Sequence, residues 1–159
     1  MTRQVLLHEA KTEADKGYRE PRDHSEVSRR PRPRARILIV DDEPLFGQTI
    51  SLLLGIEHEV LVEHSGRGAL GVLSNDADFD LVLCDLSLPD MNGPEIYARV
   101  SEQRPDLARR FVFVTGGAFT ESTREFMERH DGFRLEKPFR ISELERLLDL
   151  VCANSAISA

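Results

Sequence analysis

Residues 37–54 read ILIVDDEPLFGQTISLLL, and the change of rhythm inside this stretch decides the fold. Four apolar residues in succession, mostly β-branched, suit a strand covered on both faces. After Asp41, Asp42 and Glu43 a proline opens a segment in which Phe46, Ile50, Leu53 and Leu54 recur at helical spacing. A strand that feeds an amphipathic helix is half of a βαβ unit, and the same pairing repeats outward along the chain. Further strands are predicted at residues 60–63, 81–84 (LVLC), 111–114 (FVFV) and, more weakly, 133–135. The helices between them carry Ala69, Leu70, Val72 and Leu73, then Ile96 and Val100, then Phe126 and Met127, and finally Leu144, Leu147, Leu148 and Val151. Ser65 suits the N-cap of the second helix, and Arg140 or Ser142 marks the start of the fifth. The pattern predicts an α/β fold, a doubly wound (βα)5 unit with a parallel sheet between helical layers. Such sheets bind ligands beyond the carboxyl ends of their strands, where the strand order reverses.

The whole chain has 159 residues and a formal net charge of −7, and that charge is a cancellation. Residues 1–36 hold ten basic and six acidic side chains, a balance of +4, so the remainder carries −11. Residues 1–35 are expected to form a basic leader ending in an Arg/Pro run, flexible or partly helical around residues 5–16. Its prolines and few apolar residues do not support a core, and an Arg/Pro run is also able to touch nucleic acid or an anionic surface. The folded domain is placed at 36–152 and a short tail at 153–159. No apolar run approaches the roughly 18 residues of a membrane span. The first residues lack the apolar core of a signal peptide. Two cysteines, Cys84 and Cys152, are too few for a disulfide scaffold and lack zinc-site spacing. A cytoplasmic location is expected.

Reactive side chains follow four of the strands. Asp41, Asp42 and Glu43 come after Val40, Asp85 after Cys84, Thr115 after Val114, and Lys137 after Leu135 and Glu136. In a parallel sheet these groups converge on one edge. Gathered carboxylates repel one another unless a cation neutralises them. A hard divalent ion suits them, Mg²⁺ best, since it takes oxygen ligands and commonly uses only one or two carboxylates plus a phosphoryl oxygen. Lys137 then offers a point charge, and Thr115 a hydroxyl donor, to an anionic group. Each residue also has an ordinary explanation. Adjacent aspartates cap helices, Thr115 before Gly116 and Gly117 fits a turn, and Lys137 before Pro138 fits an exposed surface. Turn chemistry does not explain all four types occurring in order, each at a strand end. The constellation is that of a phosphoryl site.

The segments ILIVDDEP, LVLCDLSLPDMNG, FVFVTGG and LEKPF together resemble the signature of the response-regulator receiver domain of two-component signalling, over about residues 36–152. The resemblance implies a flavodoxin-like fold with strand order 2-1-3-4-5. It implies Asp85 as phosphoacceptor, served by a sensor histidine kinase or a histidine phosphotransfer protein. Asp42 would ligate Mg²⁺ directly, Asp41 mainly through water, and the backbone carbonyl of Ser87 would add a ligand. Asp85 itself belongs to that metal set. Thr115 and Lys137 would bind phosphoryl oxygens after transfer, and the Lys137–Pro138 peptide would be cis. The domain would catalyse only its own phosphorylation and dephosphorylation and would not be an enzyme in the ordinary sense. With no DNA-binding output domain expected after Val151, a stand-alone receiver would act on a downstream protein target or relay phosphate.

Three positions depart from the family pattern. Arg134 stands where an aromatic residue is usual, with Phe133 one place earlier, which questions the usual coupling of the threonine to a rotating ring. Leu88 replaces a common methionine. Gly117 lacks a side chain at a place that influences phosphoryl lifetime in some members. The short fifth strand and the Thr-Gly-Gly loop also resemble receivers attached to hybrid sensor kinases. Arg134 supports an alternative, a phosphorylation-independent interaction module that docks through its fourth helix, last strand and fifth helix. A hydrolase of small phosphate esters is a poorer fit, because such enzymes usually carry Asp-x-Asp with the nucleophile on the first strand, whereas here two aspartates are adjacent.

Overall fold

Every strand is followed by a chain segment that crosses back over the sheet, so all strands run the same way. The structure, a computed structural model, describes residues 34–76, 78–116 and 120–157. In chain order the elements are β1 (Arg36–Val40), α1 (Pro44–Leu54), β2 (Glu59–Glu63), α2 (Gly66–Asn75), β3 (Leu81–Asp85), α3 (Gly93–Gln103), a short α4 (Pro105–Ala108), β4 (Phe111–Thr115), α5 (Glu121–Arg129), β5 (Phe133–Glu136) and α6 (Ile141–Ile157). The sheet is parallel throughout, in the order β2-β1-β3-β4-β5. This is the expected flavodoxin-like (βα)5 fold. Residues 1–33 of the expected leader, and Gly117, lie outside the described residues. Each expected strand is one residue longer than the apolar run that announced it, because the ladder extends onto polar ends such as Arg36, Asp85 and Thr115. The four-residue α4, opened by Pro105, was not expected, and α6 runs past Cys152 to Ile157.

Alternation along the three central strands divides the core in two. Ile37, Ile39, Leu81, Leu83, Val112 and Val114 face α1 and α6, against Ile50, Leu54, Leu144, Leu148 and Val151. Leu38, Val40, Val82, Cys84, Phe111 and Phe113 face the other layer, against Ala69, Leu73, Ile96 and Val100. The central strands β1, β3 and β4 are almost wholly buried, while the edge strands β2 and β5 are only partly so. On the second face Phe126 of α5 packs edge-on to Phe113 at 5.1 Å between ring centroids and stacks on His130 at 5.0 Å. Burial in this aromatic cluster lowers the pKa of His130.

One helix face was misjudged from spacing. In α1 it is Gly47, Ile50 and Leu54 that are buried, whereas Leu53 is 49% exposed. Leu52, Leu53 and Leu54 are consecutive, and at about 100° per residue only one of three neighbours points squarely at the sheet. Side-chain hydrogen bonds mark the starts of α2, α3 and α6. The Ser65 hydroxyl accepts the Gly68 amide at 3.1 Å, as expected for an N-cap. Asn92 and Glu95 form a reciprocal capping box at the head of α3. Arg140 immediately precedes α6 and donates its amide to Glu143 Oε2 at 2.7 Å.

Leu38 has no exposed surface and sits at the centre of the second layer. Leu38→Ala is expected to cost about 2–5 kcal/mol of unfolding free energy, the range for emptying a packed leucine site, read from urea denaturation at neutral pH.

Candidate functional site

Register brings the reactive strand ends to one edge. Val40 lies opposite Cys84, Asp85 opposite Val114, and Thr115 opposite Glu136. Asp41, Asp85, Thr115 and Lys137 therefore occur at or just beyond the last rung of neighbouring strands, next to the reversal of strand order between β1 and β3.

The carboxylates of Asp41, Asp42 and Asp85 each present an oxygen within 4.8 Å of the others. Asp41 and Asp85 are buried and Asp42 is exposed, so the group is open to solvent on one side. The Lys137 ammonium sits among them, donating to Asp41 Oδ2 at 2.7 Å, Asp85 Oδ2 at 3.2 Å and Glu43 Oε1 at 3.3 Å. The remaining oxygens are oriented by the backbone. Asp41 Oδ1 accepts the Glu43 amide at 2.9 Å, and Asp85 Oδ1 accepts the Ser87 amide at 2.8 Å. Burial raises the pKa of the Asp41 carboxyl, and the neighbouring Asp85 charge adds to this, despite the hydrogen bond from Lys137. For Lys137 burial works against the charge, but the hydrogen bond and charge of Asp41, joined by Asp85, outweigh it and hold the amine above its usual pKa. The two shifts have different causes: burial, above all, raises Asp41, whereas its carboxylate partners raise Lys137. An oxygen-rich set with surplus negative charge fits a hard divalent cation.

Thr115 ends β4 on the same edge, and its carbonyl accepts the Lys137 amide at 2.6 Å, which ties the lysine's strand to β4 just before the bend. The Lys137–Pro138 peptide is cis, as the family resemblance implied. Ser87 lines a groove of about 380 Å³ with Asp42, Leu86, Leu88, Met91 and Thr120. Gly93 comes so close to this turn that a Cβ there would lie 2.8 Å from the Asp85 carbonyl oxygen, so the start of α3 can press against the strand end only without a side chain.

Three contacts of the site were not expected. Asp90, in the loop after β3, accepts the Gly66 and Arg67 amides at 2.8 and 2.9 Å, so a side chain 24 residues away in sequence covers the head of α2. Nothing local marks Asp90 for this role. His64 donates from Nδ1 to the Asp41 carbonyl at 3.0 Å. Phe46, read as a core residue, carries Lys137 Nζ over its ring at 3.9 Å from the centroid.

On its α5 side, Thr115 has largely charged surroundings. Thr115 lines a cavity of about 530 Å³ with Arg124, Met127, Glu128, Arg134 and Glu136. Phe133 packs instead with the α1/α6 layer. Strand alternation therefore keeps Phe133 from replacing the missing ring.

The response regulator receiver domain family matches residues 37–149, and this chain belongs to it. The response regulator protein FleR of Pseudomonas aeruginosa is 32% identical over 123 residues, covering 76% of this chain, which spans only 24% of FleR's length. The two-component response regulator ORR3 of rice (Oryza sativa subsp. indica) is 30% identical over 122 residues, 76% of this chain and 93% of ORR3. Among solved structures, the CheY-like response regulator receiver domain protein of Methanospirillum hungatei JF-1 superposes with a TM-score of 0.70 at 26% identity, covering 80% of this chain and all of that one. The fold and the family agree. Among the described residues, no helix is long and apolar enough to cross a membrane.

Hydrogen bonds from the Arg67 and Gly66 amides hold the Asp90 carboxyl below its usual pKa. Its contribution to stability is complete above the carboxyl's unfolded pKa and is lost as the pH falls through the depressed folded value. Asp90→Ala is expected to melt below the wild type at pH 7, and the gap should close as the pH is lowered toward 3, in thermal unfolding followed by circular dichroism.

Proposed function

We propose that this chain is the phosphoacceptor of a two-component or phosphorelay system and that Asp85 takes a phosphoryl group from a phosphohistidine. One observation carries the reading. The Lys137 ammonium bridges Asp41 and Asp85 at 2.7 and 3.2 Å, with Asp42 beside them, at the reversal point of a receiver fold. The Ser87 amide fixes Asp85 Oδ1, which leaves Oδ2 on the lysine side as the attacking oxygen. A P–O bond to Asp85 forms as the P–N bond of the donor breaks, and the released imidazole nitrogen keeps the electron pair. Transfer of this kind asks for position and charge more than for covalent help from the protein. Mg²⁺, held by Asp41, Asp42, Asp85 and the Ser87 carbonyl, would supply the positive charge that offsets the carboxylates and the phosphoryl oxygens. Lys137 would then bind one phosphoryl oxygen and the Thr115 hydroxyl another. The domain acts on itself, not on a turned-over substrate. The donor we infer is a sensor histidine kinase or histidine phosphotransfer protein, and output passes to a further protein by contact or relay. We assign the receiver to residues 36–152, following a basic leader, and place it in the cytoplasm.

Arg134 supports a second reading, an interaction module that does not depend on phosphorylation, because the cavity beside Thr115 is lined by Arg134 and, among the described residues, by no aromatic ring. Beryllofluoride, which stands in for the phosphoryl group on a carboxylate, separates the two. Receiver chemistry predicts Mg²⁺-dependent shifts of the Thr115 and Lys137 amides on its addition, and unchanged amides would favour the module.

Asp85→Asn should fold as the wild type does and take no label from acetyl phosphate or a phosphohistidine donor. Labelling of that variant at the wild-type level would refute the assignment. Removing divalent cations with EDTA should likewise abolish labelling of the wild type, and added Mg²⁺ should restore it.

A further inference from the structure

Lys137 is the pivot of the site, and its confinement is more complete than its ion pairs alone provide. Its side chain is only 16% exposed. Along the stem it runs past Gly116, where an added Cβ would lie 2.8 Å from Lys137 Cδ and 3.1 Å from its Cβ. At its tip the ammonium lies over the Phe46 ring, 3.9 Å from the centroid. That ring is braced in turn by Phe139, whose edge meets it at 5.8 Å between centroids and 87° between planes. Phe46, Ile50, Gly116, Lys137, Pro138 and Phe139 together line an apolar recess of about 350 Å³. A cation over an aromatic face is attracted by the ring quadrupole, the more strongly when water is excluded.

The ring differs in kind from the other partners of the ammonium. Asp41, Asp85 and Glu43 are carboxylates, and the first two belong to the set that would hold a metal. Asp85 also gives up an oxygen to the new P–O bond when a phosphoryl group arrives. The contacts with Asp41 and Asp85 are therefore altered by the chemistry that Lys137 serves, and the third, with exposed Glu43, is long at 3.3 Å. An aromatic face neither ligates a hard cation nor accepts a phosphoryl group. It is a contact able to persist while those with Asp41 and Asp85 change.

We infer that Phe46 is a positioning residue for phosphoryl transfer, holding the Lys137 ammonium at the mouth of the site through a cation–π contact that outlasts the lysine's contacts with Asp41 and Asp85. The inference rests on the acceptor reading given above. Phe46 does not touch the reacting atoms and acts only through Lys137.

The test compares the full-length wild type with Phe46→Leu, Phe46→Tyr and Phe46→Trp. In the first arm, NMR of the Lys137 ε-methylene protons without donor or metal reads the ring-current displacement that a proton over an aromatic face experiences. In the second arm, the rate of phosphorylation is measured with Mg²⁺ and acetyl phosphate, a small donor that needs no docking partner. Phe46→Leu is expected to lose the upfield displacement and to be phosphorylated about fivefold more slowly at saturating donor. The concentration of donor giving half the maximal rate should be unchanged. The tyrosine and tryptophan variants should keep both the displacement and the rate, which a purely space-filling role for the ring does not predict. If the leucine variant does not fold, Phe46→Met serves as the ringless form. An unchanged methylene shift, a wild-type rate in the ringless variant, or a slow rate that neither aromatic variant restores overturns the inference. Failure of the wild type to take a phosphoryl group in any condition would instead overturn the acceptor reading, and the methylene shift would still decide whether the ring holds the lysine.

Discussion

The site depends on keeping like charges together at the end of the sheet. Three carboxylates with oxygens within 4.8 Å of one another repel, by roughly 3 kcal/mol or more per fully charged pair even at an effective dielectric constant of about 20. The Lys137 ammonium is the counter-charge, and it arrives from β5, separated by β4 from the strand that carries Asp85. This arrangement fixes how the strands must align. A one-residue slip of β5 would exchange the two faces of the strand, sending Leu135 to the wrong layer and Lys137 away from the carboxylates. The hydrogen bond from the Lys137 amide to the Thr115 carbonyl holds that register at the place where it matters.

Around the charged group the loops are fastened to one another and not left to drift. Gly93 lets α3 begin in contact with the Asp85 carbonyl, and the Asn92–Glu95 capping box defines the helix start. Asp90 extends from the same loop to the amides of Gly66 and Arg67 on α2. The loop that follows β3 is thus bound to two helices. Such bracing suits chemistry in which placing groups in line contributes more than any covalent assistance from the protein.

On the far side of Thr115 the surroundings are polar. Arg124, Glu128, Arg134 and Glu136 line the cavity there, and strand alternation commits Phe133 to the opposite layer. A rearrangement starting at Thr115 would meet charged side chains and, among the described residues, no ring. This side of the sheet differs from the usual family pattern in its chemistry, although the fold beneath it does not.

Much of this was legible in the chain alone. The runs ILIV, LVLC and FVFV announced strands buried on both faces because a residue with no polar neighbour in a short run has no face to give to water. The residues that follow them announced the site, since a parallel sheet places all its strand ends together. Sequence by itself therefore determined the fold class and brought Asp41, Asp42, Asp85, Thr115 and Lys137 to one edge of the sheet. Spacing misjudged Leu53, because three consecutive leucines satisfy a helical period in more than one way. Only the tertiary structure decided that Phe46 lies under the ammonium of Lys137, that Asp90 covers the head of α2, that His64 meets the Asp41 carbonyl, and that Phe133 turns from the Thr115 cavity. Each is a contact between elements distant in the chain or a choice of face. Local periodicity carries no record of such distances, which are set by how layers pack and strands register.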